Sequence, residues 1–208
     1  GLTADVASDN VDAVISHHAL SLGAVPAYEI GSLYGPERGV WIDQTTMIRR
    51  AARCLRQRGC ASVVLVSPYP RGGVAPHTER AAAQAFGAAG FTESQWRLTP
   101  VVWHHRTRDS LEELHWHRRA GQHFAEDLEL HPGGPPDGII FLEDHTAAGA
   151  MDVLSNLPSY RPELAVVTNQ QLPLWFAMPA WLLQMDAERI AGRAVDLCLR
   201  ELMDPTAG

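Results

Sequence analysis

The chain has 208 residues, 46% of them apolar and 20% charged, which suits one large domain or two small lobes around a sizeable core. A formal net charge of −7 repels phosphate, which argues against a nucleic-acid interface on this segment itself. No run of about 18 uncharged apolar residues exists, so no membrane partner is expected, and residues 1–10 do not read as a secretory signal.

Strand-like and helix-like stretches alternate along the chain, which favours an α/β fold with a largely parallel sheet. Val11–Ser16 and Val25–Gly31 read as short strands, and Ser32–Gly39 as an exposed loop rich in Gly and Pro. Gln44–Arg58 has helical period, with Met47, Ile48, Ala51, Ala52 and Leu55 on one face and arginines on the other. Asp43 stands at its N-cap position and Gly59 just past its end.

Ala61–Ser67 is a continuous apolar run, the mark of a strand buried on both faces. The loop Pro68–His77 carries three prolines and is predicted non-helical. Thr78–Ala89 is a helix of small residues, Leu98–Trp103 a strand, and Asp109–Leu130 a long polar helix or helix pair. Pro132–Asp137 breaks the chain before the strand Gly138–Leu142. Asp144 is read as the cap of a helix at His145–Ser155. Leu164–Thr168 and Trp181–Met185 are strands. Asp186 caps a last helix with a buried stripe of Ile190, Ala191, Ala194, Val195, Cys198 and Leu202.

Val40–Val66, where an Asp opens a helix, a Gly closes it and an apolar strand follows, resembles a stretch of the LacI/GalR transcription regulators. Pro136–Gly149 (PDGIIFLEDHTAAG) resembles that family's strand ending in Asn-Asp before a helix with Ala and Gly. Pro162–Gln171 resembles the strand that ends in Gly-Phe-Asp-Asp, and Pro179–Leu199 resembles the closing strand and helix. The resemblance covers most of Val11–Leu202 and implies two Rossmann-like lobes with parallel sheets, of periplasmic-binding-protein type I architecture. Residues 1–41 plus 187–203 would form an incomplete N-terminal lobe, and residues 42–186 the C-terminal lobe. The family's first strand–helix–strand–helix run would precede Val11, and its last strand would follow the closing helix. The natural protein is therefore expected to be longer, with a DNA-binding headpiece outside this chain.

In parallel sheets the loops at the carboxyl ends of the strands form the binding crevice, and two such sheets face each other across a cleft. Residues just after each strand are the ligand candidates: Ser16, His17, Arg80, Trp103, Glu143, His145 and Gln170. Arg80 resembles the family arginine that binds sugar hydroxyls, and Trp103 stands where the family often has an aromatic. Glu143 and His145 flank Asp144 where the family has Asn and a polar residue. Gln170 replaces the family's Asp, exchanging an acceptor pair for one acceptor and one donor. Trp175, Phe176 and Trp181 lie near the expected crossing between lobes. Asp144, Asp186 and Asp43 read as helix caps first, while His17 and Trp103 fit loop and core roles as readily as ligand contacts.

Cys54, Cys60 and Cys198 lack metal spacing and read as reduced, largely buried thiols of a cytoplasmic protein. His115 and His117, two apart on a helix, point to different sides and form no chelating pair, so neither a metal nor another cofactor is expected. No G-x-S-x-G, G-x-x-x-x-G-K-[ST] or G-x-G-x-x-G motif is present. These residues therefore predict a binding domain and no enzyme. The resemblance implies the effector-sensing and dimerisation domain of a DNA-binding regulator, its partners being a small polar effector (a carbohydrate by family default), a second copy and operator DNA. Two alternatives stay open: an extracytoplasmic solute-binding protein of a sugar transporter, and a relative of the same fold that has lost its ligand.

Overall fold

Residues 63–67 (VVLVS) contain no charge, and all five are buried, as a strand covered on both faces must be. The computed structural model describes residues 14–16, 27–32, 39–70, 76–103, 110–128, 134–170 and 175–204. Two compact units emerge, residues 1–43 with 186–208 and residues 44–185. In the first, β1 (Val14–Ser16), β2 (Ala27–Ser32) and β3 (Gly39–Trp41) form a parallel sheet in the order β1-β2-β3. The helix Ala187–Met203 belongs to the same unit and packs on β2 and β3.

The second unit opens with α1 (Gln44–Gln57), followed by β4 (Val63–Pro70), α2 (Pro76–Ala88), β5 (Trp96–Trp103) and α3 (Ser110–Glu126). β6 (Gly138–Phe141), α4 (Asp144–Leu154), β7 (Glu163–Asn169) and β8 (Trp181–Met185) complete it. The helix Ala187–Met203 is α5. The five strands are all parallel, in the order β5-β4-β6-β7-β8.

Strand alternation divides the core between the two faces of this sheet. Val64, Val66, Ile139, Phe141, Leu164 and Val166 pack against Phe124 of α3 and Met151 and Leu154 of α4. Val63, Leu65, Ile140 and Ala165 pack against Ile48 and Leu55 of α1 and Phe86 of α2. Of the helical face read from α1, Ile48, Ala51, Ala52 and Leu55 are buried and Met47 is half-buried, while Arg50, Arg53 and Arg56 are exposed. Gly59 ends the helix at φ 89°, a left-handed conformation that glycine adopts without steric cost.

α3 and α4 approach more closely than side chains allow. A Cβ on Gly121 would stand 1.9 Å from the Thr146 carbonyl oxygen, and one on Gly149 would stand 1.8 Å from that of Arg118. Arg118 adds a two-pronged ion pair with Asp152 across the same crossing, its Nη2 donating at 2.7 Å.

Several expectations need correction. β4 runs on through Pro68–Pro70, and α2 begins at Pro76, so the proline-rich loop is shorter than read. Beyond Val66 β4 pairs only with β5, so its prolines interrupt no ladder on the β6 side, and a proline suits the first turn of a helix. The strand β3, just after the stretch read as loop, has no counterpart in the sequence reading, three residues being too few to show a period. In α5 only Ala194 and Cys198 are buried, whereas Ala191, Val195 and Leu202 of the expected stripe are exposed. Among the described residues the three-stranded sheet covers a narrow line of that helix. Asp186 does cap it, accepting the Arg189 N–H at 2.9 Å. His17, His18 and the loop 33–38 lie outside the described residues. No described helix is long and apolar enough to cross a membrane.

Candidate functional site

The strand register cuts a notch into the carboxyl edge of the five-stranded sheet. Phe141, the last residue of β6, is level with Val66 of β4 and Val166 of β7. β4 continues to Pro70, paired with β5 as far as Trp103, and β7 continues to Asn169. β6 is therefore recessed by about 10 Å between its neighbours, at 3.3 Å per residue. The order also reverses here: β4 leads outward to β5 on one side, and β6 starts the run to β8 on the other. Ligands of open α/β sheets bind at such a switch point.

Glu143, Asp144 and His145 occupy the notch. Glu143, rather than Asp144, is the N-cap of α4. Its Oε1 accepts the His145 N–H at 2.8 Å, and its Oε2 accepts the Thr146 N–H and hydroxyl, both at 2.6 Å. His117 of α3 brings Nδ1 to 3.3 Å from the same Oε2. Burial works to raise the Glu143 pKa, but the contact and charge of His117 and the hydrogen bonds of Thr146 outweigh it and hold the carboxyl down to about 2. The reading of Asp144 as the cap followed residue type, since Asp is a commoner cap than Glu. The strand end decides otherwise, placing Glu143 in the extended conformation (φ −148°, ψ 134°) that an N-cap requires.

Asp144 has another role. Its Oδ2 accepts the Thr168 hydroxyl at 2.9 Å, so it ties α4 to the end of β7. Burial raises its pKa, the Thr168 hydrogen bond opposes this, and the charge of Glu143 raises it further. An acid whose folded pKa is raised contributes stability that is full below its unfolded pKa and is lost as pH rises through the folded value. Asp144→Asn keeps an acceptor for Thr168 and removes the charge. It is expected to stabilise the protein by about 1 kcal/mol at pH 7, the scale of relieving a like-charged neighbour in a partly screened site. Melting curves at pH 7 and pH 3.5 check this, because the gain must vanish at the acid end.

Glu143, Asp144 and His145 also offer metal-ligand atoms within 4.8 Å of one another. Glu143 already accepts three N–H and O–H donors, and a cation there would face the positive end of a helix. The arrangement suits hydrogen bonding to a polar ligand better than metal coordination.

The remaining candidates stand as follows. Trp103 is the last residue of β5, and Gln170 directly follows β7, exposed, its backbone N–H donating to the Met185 carbonyl at 2.9 Å. Arg80 lies in the opening turns of α2, exposed, and Ser16 ends β1 in the other unit. Trp175 is 93% exposed, Trp181 46%, and Phe176 packs partly against the core, so these three aromatics share no common environment. All three cysteines are free thiols, Cys60 and Cys198 buried and Cys54 half-buried. Burial pushes the Cys60 thiol up to about 11. The residues that sequence reading missed are Thr168 and His117. A Thr at a strand end carries no special signal, and the approach of His117 depends on the glycine-mediated crossing of two helices.

Comparison with solved structures places this geometry. The chain is similar to a LacI transcriptional regulator from a Rhodococcus species (TM-score 0.74, 18% identity, 97% of this chain and 74% of that one). It is similar to the Cra transcriptional dual regulator of Pseudomonas putida in complex with fructose 1-phosphate (TM-score 0.66, 20% identity, 98% and 75%). A third is a LacI family transcriptional regulator from Enterococcus faecium with bound ribose (TM-score 0.61, 16% identity, 88% and 63%). No protein-family model matches the sequence, and no curated protein matches it. The chain thus has the α/β fold, with parallel sheets of periplasmic-binding-protein type, that LacI-family transcriptional regulators share.

Proposed function

We propose that this chain is the effector-sensing domain of a DNA-binding transcriptional regulator and that it binds a small polar ligand, a sugar, at the carboxyl edge of the five-stranded sheet. The carrying observation is the notch at β6, where Glu143, Asp144, His145, Thr168 and His117 gather at the point where the strand order reverses. The fold is that of regulators, two of which hold fructose 1-phosphate and ribose, and this supports the choice of ligand class. In this reading Arg80 and Gln170 supply donors, Glu143 and His145 polar contacts, and Trp103 a flat apolar ring for a sugar face. The domain binds and does not catalyse. It works as a homodimer whose ligand-bound and ligand-free states differ in operator affinity, through a separate headpiece.

Calorimetric titration with a panel of monosaccharides and nucleosides tests the reading. Saturable binding of a sugar supports it, and no binding to any member of the panel overturns it. Arg80→Ala is expected to weaken that binding by at least about tenfold, the loss of hydrogen bonds from a charged donor. The melting temperature should not move, because Arg80 is exposed. Unchanged affinity removes Arg80 from the site.

A further inference from the structure

A helix N-terminus that follows a strand is a ready anion site, because its first N–H groups have no intrahelical partner. In α4 the chain closes that site itself. The Glu143 carboxylate spans the N–H groups of His145 and Thr146, at 2.8 and 2.6 Å, and Thr146 Oγ1 adds a further donor at 2.6 Å. Asp144, only 10% exposed at its side chain, adds a second carboxylate one residue on. The Arg and His side chains beside this helix end face carboxylates. Arg118 is paired with Asp152 at 2.7 Å, His117 Nδ1 faces Glu143 at 3.3 Å, and His145 Nε2 faces Asp144 Oδ1 at 3.8 Å.

A phosphate brought to this corner would have to displace a carboxylate from its own N–H donors and sit against a second one. A hydroxyl group meets the opposite situation. A carboxylate oxygen accepts two hydrogen bonds, and Oε1 of Glu143 takes one from the His145 N–H, so a ligand O–H is a further donor of the kind this carboxylate can accept. Resting on the sugar-binding reading above, we propose that the self-capped end of α4 makes this site select an uncharged, hydroxyl-rich ligand and reject its phosphorylated form. The selection acts by exclusion, with like charge placed where a phosphate would otherwise dock.

The test uses the whole chain, titrated calorimetrically with ribose and ribose 5-phosphate and with fructose and fructose 1-phosphate. Each phosphate ester is expected to bind at least about tenfold more weakly than its parent sugar, the effect of a like charge at the contact. Glu143→Gln should narrow that gap. Glu143→Ser, which keeps a capping oxygen without the charge, should gain thermal stabilisation by inorganic phosphate that the wild-type chain lacks. Circular dichroism establishes that both variants are folded. Tighter binding of a phosphate ester than of its parent overturns the inference and leaves the sugar reading standing. Equal stabilisation of wild type and Glu143→Ser by inorganic phosphate also overturns it. If neither sugars nor their phosphates bind, the sugar reading fails and this inference fails with it.

Discussion

Gly149→Ala is expected to destabilise the protein by about 3 kcal/mol, the upper part of the overpacking range. The added Cβ would lie 1.8 Å from the Arg118 carbonyl oxygen and 2.6 Å from its carbon. Those are backbone atoms of α3, so no side chain can rotate away, and the two helices must separate by well over an ångström. In a helix interior alanine is favoured over glycine by about 1 kcal/mol, so the clash must first overcome that gain. For a chain of this size the net loss lowers the melting temperature by about 10 °C. Gly192→Ala in α5 is the control, since nothing lies within 4 Å of its would-be Cβ. That substitution should stabilise, by about 0.5–1 kcal/mol. Urea denaturation of the two variants measures the contrast, and a Gly149 variant as stable as the Gly192 variant would rule out the close crossing.

The same crossing shows where sequence reading stops. His117 lies one helical turn before Gly121, so the contact that draws α3 onto α4 also delivers the imidazole to Glu143. Nothing in the spacing of residues 117 and 143 announces this, because it depends on two glycines 28 positions apart lying opposite each other's helix. By contrast β4, β6, β7 and the inner face of α1 were legible, since unbroken apolar runs and a clean 3.6-residue period reflect burial directly. The exclusion of a chelating His115–His117 pair also rested on geometry that the helix obeys, with His115 exposed and His117 turned inward. The stripe on α5 was apolar in sequence, yet periodicity reports only which residues share a face. How much of that face a three-stranded sheet covers is a tertiary matter, and Val195 at 45% exposure is the result.

The recess of β6 could not be read either, because register is a relation between strands and each strand reveals only its own length. Glu143, Asp144 and His145 were legible as residues following a strand. Their division of labour was not, and it turns on a single residue of helix boundary.

That division leads to the second large effect. Glu143→Ala is expected to cost about 3 kcal/mol at pH 7, since its carboxyl is held near 2 against about 4.5 in the unfolded chain and each unit of such a difference is worth about 1.4 kcal/mol. The substitution strips the acceptor from the His145 and Thr146 N–H groups and from the Thr146 hydroxyl, and it leaves His117 facing a methyl group. The sign fixes a pH signature. A depressed folded pKa gives stability that is present above the unfolded pKa and disappears as pH falls through the folded one, here from about 4.5 to about 2. The wild type should therefore lose its advantage over the variant across that window. Asp144 acts in the opposite direction, its contribution declining as pH rises, and the charge of Glu143 is part of the cause, so Asp144→Asn should stabilise less in the Glu143→Ala background than in the wild type. Denaturant midpoints at pH 7, 4 and 2.5 resolve both effects, and a Glu143→Ala gap that ignores pH would mean the carboxylate is not the charged keystone of this helix end.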